Sequence, residues 1–391
     1  MNTQKKVALV RGDSLSEWEG SLWHSLTDTF AVTGVCSQKN LYSTSNLGFP
    51  VIKLPTTTDN IFIHNFYKYY FGIFQKMGGL EKLLANYDIA HTAEVYYFYT
   101  TQAVRAKSLN KKLKVVATVW DNSFGRFEYN YWPKLKMSPA YWRKKVNEII
   151  KENISGVDMF LPVTAYSAGL LSDLGVPESK MQVVTPAIAR PDEKNQENIM
   201  EELGLAEREI YLVVNRMVRE KGVYDILYAW RMYLKKSKKN NAVLVLIGKG
   251  PEQKNLVRLS GEMGLGASVK FIEYLPNDKV RSLYKFVKVL ILASLSTFTW
   301  QEQFGFVLAE SISAGTPVIS TFSGAIPEVV GRAGLLVPPA HPVALADAFM
   351  TLDNQTSYAS LKLACQTEMQ RFNSQNYVEK ISNLYKTLMD V

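Results

Sequence analysis

Residues 211–230 read YLVVNRMVREKGVYDILYAW, and the change of periodicity within this stretch decides the fold class. Tyr211–Val214 is a continuous apolar run of strand length, the signature of a strand covered on both faces rather than on one. A polar loop carrying Arg216 and Lys221 follows, and from about Val223 the apolar residues return at helical spacing. Strand, charged loop and helix in that order make one βα unit. The same order recurs at Ala242–Ile247, Val269–Ile272, Val289–Leu292 and Val318–Ser320, each followed by a loop and a helix-length segment. In the first half Lys6–Val10, Tyr87–His91, Val115–Val119 and Asp158–Pro162 read as short buried strands. Repeated βα units imply parallel sheets with helices on both faces.

With 391 residues, 47% hydrophobic and 12% aromatic, the chain is too long for one average domain and can build two cores. The halves meet near PAIARPDEKNQEN, residues 186–198, where apolar periodicity gives way to prolines and polar residues. The expected division is therefore residues 1–188, residues 189–370 and a final segment, residues 371–391. In that last segment Tyr377, Ile381, Leu384, Tyr385 and Leu388 share one helical face, so a single amphipathic helix should pack back on the first domain.

Two cysteines, Cys36 and Cys365, without CxxC or Cys/His spacing, argue against a disulfide framework or structural zinc and for a reducing compartment. Met1–Val10 lacks the apolar length and cleavage site of a signal peptide, and no window approaches the ~18 apolar residues of a membrane span. The expectation is a cytoplasmic protein, soluble or held peripherally at the cytoplasmic membrane face. Oligomeric state has no signature here.

The net charge of +9 is concentrated. Residues 101–150 hold eleven Lys/Arg against three acids, interleaved with aromatics such as Trp120, Tyr131, Trp132 and Trp142. Such a stretch suits an anionic membrane surface, an anionic lipid-linked acceptor or nucleic acid; it equally suits a solvated helix face over an aromatic cluster.

In doubly wound domains ligands bind in loops beyond the carboxyl ends of strands. Several familiar loops are missing. There is no GxxxxGK[ST], GKGPEQ at Gly248 fails GxGxxG because its sixth position is Gln253, and Asp-x-Asp does not occur. The four histidines are too scattered to read as a metal site, and no metal is expected. What remains is a pair of loops. The loop after Tyr211–Val214 aims Arg216 and Lys221 at one space outside the sheet, where a diphosphate could be clamped. After Val289–Leu292 comes WQEQFGFVLAESISAGTPVIS, residues 300–320, whose Phe306–Ala314 portion reads as a helix ending at Gly315. The free N–H groups and positive dipole end at Gly305–Phe306 favour an anion, and Gly305 lets the backbone approach it. Glu302 lies just before the helix and Glu310 one turn inside it. Carboxylates there accept hydrogen bonds from hydroxyls, and a ligand with hydroxyls on both sides of a diphosphate is a nucleotide sugar.

EQFGFVLAE, followed by SAGTPVIS and SGAIPEVVG, resembles the glutamate-x7-glutamate region of the family 4 retaining glycosyltransferases. VVNRMVREKGVYDILYAW is similar to that family's Gly-Arg-x5-Lys-Gly loop, and LVLIGKGP and GLLVPP extend the likeness over the second half. It is thinner in the first half, at YDIAHTAE and at DMFLPVTAYSAGLLSDLGVPESKMQVV. The resemblance implies the GT-B fold, two Rossmann-like α/β domains facing a central cleft, and transfer of a hexose from a nucleotide-diphosphate sugar of UDP or GDP type to a glycan or lipid-linked acceptor hydroxyl. It further implies a metal-independent retaining reaction without a bound cofactor.

By position, the resemblance assigns Arg216 and Lys221 to the donor diphosphate, Glu302 to sugar hydroxyls and Glu310 to the ribose. Gln303, Phe304, Gly305, Phe306 and Val307 supply backbone facing sugar and phosphate, and Tyr274 and Leu275 lie beside the nucleobase. Two departures stand out. Where the family often has histidine after the Val115–Val119 strand, this chain has Trp120 and Asp121; Asp121 or His91 could take that place, and His91 could equally be a core residue. The first loop, RGDSLSEWEGS, keeps Gly12 and Gly20 of the family's paired glycines, with Gly12 expected near the donor and Asp13 and Glu19 as acceptor contacts. The nearest alternative is a nucleotide-sugar epimerase of the same architecture. A basic nucleic-acid-binding protein would leave Glu302 and Glu310 without a role, so nucleic acid is not expected as a partner.

Overall fold

A computed structural model of the chain describes residues 4–57, 59, 75–122, 139–188, 199–237, 239–297 and 300–390. The chain divides into two compact units, Met1–Pro186 together with Ser374–Val391, and Ala187–Asn373. Most of the expected linker, residues 189–198, lies outside the described residues.

The first unit holds β1 (Lys6–Val10), β2 (Ala31–Ser37), β3 (Val51–Leu54), β4 (Ile89–Ala93), β5 (Lys114–Val119) and β6 (Met159–Pro162). They form one sheet in the order β3-β2-β1-β4-β5-β6, with every neighbouring pair parallel. The central strands are buried from end to end: β4 has no exposed residue and β5 only a half-buried Lys114. Burial accounts for their largely apolar make-up, with His91, Thr92 and Thr118 as buried polar members. The helix Ser374–Leu388 belongs to this unit and buries Tyr377, Ile381, Leu384 and Tyr385, four of the five residues on the face marked out by spacing.

The second unit holds β7 (Glu209–Val214), β8 (Ala242–Ile247), β9 (Val269–Ile272), β10 (Val289–Leu292), β11 (Val318–Thr321) and β12 (Gly334–Val337). Their order is β12-β11-β10-β7-β8-β9, again all parallel. The core on one side of this sheet is built on Tyr211, Trp230, Tyr233 and Phe349, whose rings pack 4.9–6.0 Å apart. Trp230 and Tyr233 come from the helix Val223–Ser237 and Phe349 from the helix Pro342–Thr351.

Three strands were not expected from the pattern: β2, β3 and β12. β2 is interrupted by Gly34, where a Cβ would lie 2.9 Å from Leu15, so close packing, not flexibility, places glycine there. β3 and β12 are short, half-buried edge strands without the continuous apolar run of a central one.

In both sheets the order of strands reverses once, between β1 and β4 and between β7 and β10. From β7 the chain goes on to β8 on one side; from β10 it goes on to β11 on the other. The loops that leave these two adjacent strands therefore diverge and open a crevice beyond their carboxyl ends, the place where open α/β sheets bind ligands.

Candidate donor site in the second unit

The loops after β7 and β10 are built to meet. A 3-10 turn, Arg219–Lys221, is closed by Gly222 in the left-handed region at φ 64°. A Cβ at Gly222 would sit 1.9 Å from the carbonyl oxygen of Ala293, just past β10, so only glycine lets the loops lie this close. Leu295 N–H donates to the Glu220 carbonyl (2.8 Å) and fastens them. Lys221 Nζ thereby reaches Glu302 Oε2 at 2.6 Å, and Ser294 Oγ donates to the same oxygen at 2.6 Å. The ammonium also lies 4.8 Å from the centre of the Trp300 ring, a cation–π distance. Glu302 is only 7% exposed, and its backbone carbonyl accepts from Ala325 N–H at 3.1 Å. Arg216 is exposed at the mouth of the same loop.

Behind this pair the turn after β8 acts as a brace. Met217 N–H donates to Lys249 carbonyl (2.9 Å), and Glu252 N–H to Met217 carbonyl (3.0 Å). Cβ atoms on Gly248 and Gly250 would come within 2.0 Å of Asn215 O and 2.2 Å of Met217 O. In the sequence GKGP fails a dinucleotide fingerprint and extends the family likeness; in the fold its glycines permit loop-to-loop packing.

The helix Phe306–Ser313 starts at Gly305, at φ 81° and ψ 58°, with no side chain capping its first turn. The positive dipole end of this helix attracts an anion, while within its first turn Leu308 N–H donates to the Gly305 carbonyl at 2.8 Å. Glu310, on this helix, accepts from the Tyr284 hydroxyl at 3.0 Å. Burial pushes the Glu310 carboxyl above its ordinary range, against the hydrogen bond from Tyr284 and the charge of Arg281. Phe304 is buried against Phe306 and Phe372, at 4.8 and 6.3 Å, while Gln303, Phe306 and Val307 are half-buried. Tyr274, 74% exposed, and the half-buried Leu275 follow β9 on the loop beyond its carboxyl end. Ser294, Trp300 and Tyr284 went unnoticed in the sequence; only Ser294, the first hydroxyl after the apolar run of β10, carried a usable signal.

In the first unit the remaining candidates divide between loop and core. Gly12 follows β1 at φ 53°, where a Cβ would lie 2.4 Å from Gln75 Oε1; Asp13 is half-buried beside it. Glu19 is held inside, with Oε1 2.6 Å from Arg11 Nε. Arg11 in turn donates to the carbonyls of Val10 (2.9 Å) and His91 (3.0 Å). His91 has no exposed surface: Nδ1 lies 2.5 Å from the Tyr385 hydroxyl and Nε2 2.7 Å from Thr118 Oγ1. Burial and the nearby Arg11 charge hold the imidazole well below its ordinary pKa, so it is neutral. Both ring nitrogens being engaged, His91 offers a ligand no ring atom. Asp121 is buried after β5 and accepts from Tyr96 hydroxyl at 2.9 Å. The carboxylate of Glu94, after β4, accepts from the N–H groups of Trp120 and Asp121 at 2.9 and 3.1 Å. Much of the basic-aromatic stretch, residues 123–138, lies outside the described residues.

Two doubly wound six-stranded parallel sheets define the GT-B class, and solved structures of that kind are similar over nearly the whole chain. Anabaena HepE in complex with UDP matches with a TM-score of 0.76 at 15% identity, covering 98% of this chain and 100% of that one. Sucrose-phosphate synthase from Thermosynechococcus elongatus matches with 0.71 at 17% identity, covering 99% and 100%. Residues 195–362, the bulk of the second unit, match the family glycosyl transferases group 1. Relatives include the D-inositol 3-phosphate glycosyltransferase of Corynebacterium urealyticum, 29% identical over 54% of this chain and 52% of that protein. The N-acetyl-alpha-D-glucosaminyl L-malate synthase of Bacillus anthracis is 26% identical over 61% and 62%. The chain thus spans about half to three fifths of the length of these curated relatives.

Proposed function

We propose that the protein is a glycosyltransferase that moves a hexose from a nucleoside-diphosphate sugar to an acceptor hydroxyl, with retention of anomeric configuration and without a metal. The observation that carries this reading is the meeting of Lys221 with Glu302 at 2.6 Å beside the uncapped start of the helix Phe306–Ser313. Cation and helix dipole suit a diphosphate, and the carboxylate suits sugar hydroxyls. When the anomeric C–O bond breaks, negative charge grows on the departing diphosphate. Arg216, Lys221 and the positive end of the helix Phe306–Ser313 stabilise it where it develops, in a site already ordered before reaction. The new bond to the acceptor oxygen forms on the same face of the sugar, and the acceptor proton passes to the leaving phosphate. Glu310 accepts from the ribose hydroxyls, and its proximity to Tyr284 fixes its orientation. Similar folds have been solved with UDP and with UDP-glucose, which favours a UDP donor.

A thermal-shift screen of UDP-, GDP- and ADP-sugars tests the reading. The true donor, binding only the folded state, stabilises it by about 2.7 kcal/mol at one hundred times its dissociation constant, and Glu302→Gln abolishes sugar transfer with the fold retained. Full-rate transfer by Glu302→Gln overturns the donor assignment, and loss of activity on EDTA treatment overturns metal independence. An epimerase, the class named for a similar Listeria monocytogenes structure with a TM-score of 0.61, would instead convert the nucleotide sugar into its epimer with no acceptor present.

A further inference from the structure

Asn215 is the first residue past β7, between Gly248, the first past β8, and Ala293, the first past β10, so it stands at the middle of the second sheet's carboxyl edge. Its backbone is fixed. Asn215 N–H donates to the Ile247 carbonyl at 3.1 Å, and a Cβ on Gly248 would come within 2.0 Å of the Asn215 carbonyl oxygen. The side chain has no such anchor. Among the described residues neither Oδ1 nor Nδ2 has a hydrogen-bond partner, and both atoms are closed off from solvent although the residue as a whole keeps some exposed surface.

A carboxamide in this state has lost its bonds to water at both ends without replacing them, which disfavours the folded chain. Packing does not call for it. An aliphatic side chain fills the same volume without that loss, and the Gly-Arg-x5-Lys-Gly loop that this stretch resembles has glycine in this place. Buried polar groups without partners are exceptional in native folds, and a ligand is one of the few things that account for them. The amide also specifies what completes it: Nδ2 needs an acceptor and Oδ1 needs a donor. A diphosphate offers acceptors only. A sugar hydroxyl offers both, and Glu302, the carboxylate suited to sugar hydroxyls, is held by Ser294, one residue beyond Ala293.

We infer that Asn215 is a further donor-binding residue, which turns about its side-chain bonds when a nucleoside-diphosphate hexose binds and meets hexose hydroxyls, Nδ2 donating and Oδ1 accepting. The inference rests on the donor reading given above and adds to it a residue that selects for the hexose rather than for the nucleotide. Without donor the orphaned amide lowers stability; the bound hexose relieves it.

Removing the amide therefore acts with opposite sign on two readouts. Asn215→Leu, nearly isosteric and apolar, is expected to melt about 2–4 °C above wild type without ligand, and Asn215→Ala no lower than wild type. By isothermal titration both variants should lose affinity for UDP-glucose by about tenfold or more, while affinity for UDP, which lacks the hexose, stays within about twofold. A residue that only shapes the loop would lower the melting temperature in both variants, or weaken UDP and UDP-glucose alike. Either result overturns the inference, as does wild-type affinity for UDP-glucose in both variants. If the wild-type chain itself fails to bind UDP-glucose, the donor reading falls and the inference with it, so the two failures are told apart.

Discussion

Replacing Lys221 by Met leaves the Glu302 carboxylate, 7% exposed, without the ammonium 2.6 Å away. Breaking a buried pair from one side typically costs about 3–5 kcal/mol, because the remaining charge stays desolvated. Lys221 keeps 19% of its side chain in contact with solvent, which puts this case near the lower end, at about 3 kcal/mol. Changing Glu302 to Gln as well removes the buried negative charge but leaves an amide that Ser294 Oγ can still meet. The double variant should therefore recover about 2 kcal/mol of the loss, a coupling within the usual span for contacting residues. With a urea dependence of about 2 kcal/mol per molar, Lys221→Met lowers the unfolding midpoint by about 1.5 M, and the double variant by about 0.5 M. Hydrogen-exchange mass spectrometry of peptides from β7 and β10 across a urea series reads the second unit's own transition. Equal midpoints for the single and double variants would refute the reasoning, since the cost would then come from lost packing on Trp300 rather than from a buried carboxylate deprived of its counter-charge.

Glu310 carries a folded-state pKa raised by burial, so the folded protein keeps that proton to higher pH than the unfolded chain. Its stability contribution falls as pH rises through the interval between the two values, and the deficit persists above it; Glu310→Gln should raise the melting temperature at pH 7 and not at pH 4, while weakening donor binding. His91 shifts the other way. A base whose folded pKa is depressed gives its full stability above the unfolded value near 6.5 and loses it as pH falls below, at up to about 1.4 kcal/mol per pH unit, and His91→Gln should flatten the melting profile between pH 6.5 and 5. Gly222→Ala would place a Cβ 1.9 Å from a backbone oxygen that has no rotamer to move to, at a left-handed φ; a loss of about 3 kcal/mol is expected, together with loss of donor-induced stabilisation, and wild-type melting would contradict the loop geometry.

Strand reading succeeded where both faces of a strand are covered. β8 and β10 begin and end where the apolar runs do, because burial from end to end leaves no polar residue inside them. It failed at the edges, where β3 and β12 have less to hide, and at Gly34, whose absence of a side chain is dictated by Leu15 from elsewhere in the chain. The loops after β7 and β10 were recognisable as polar interruptions, and their place at the reversal of strand order follows from topology. Partners across chain distance were not legible: nothing in the local residues pairs Ser294 with Glu302, Tyr284 with Glu310 or Tyr385 with His91. Hydrogen bonds of that kind depend on three-dimensional register, and spacing along a sequence carries no record of it.

The helix Ser374–Leu388 is part of the first unit although the whole second unit is synthesised before it. A ribosome therefore releases a complete, continuous Ala187–Asn373 segment, free to fold on its own schedule, while the earlier segment waits with Trp23, Phe30 and His91 lacking the Tyr385 ring that packs on them. Translation that stops short of those last turns would yield one finished half and one with an open seam, a species that chaperones and proteases distinguish readily from the full product.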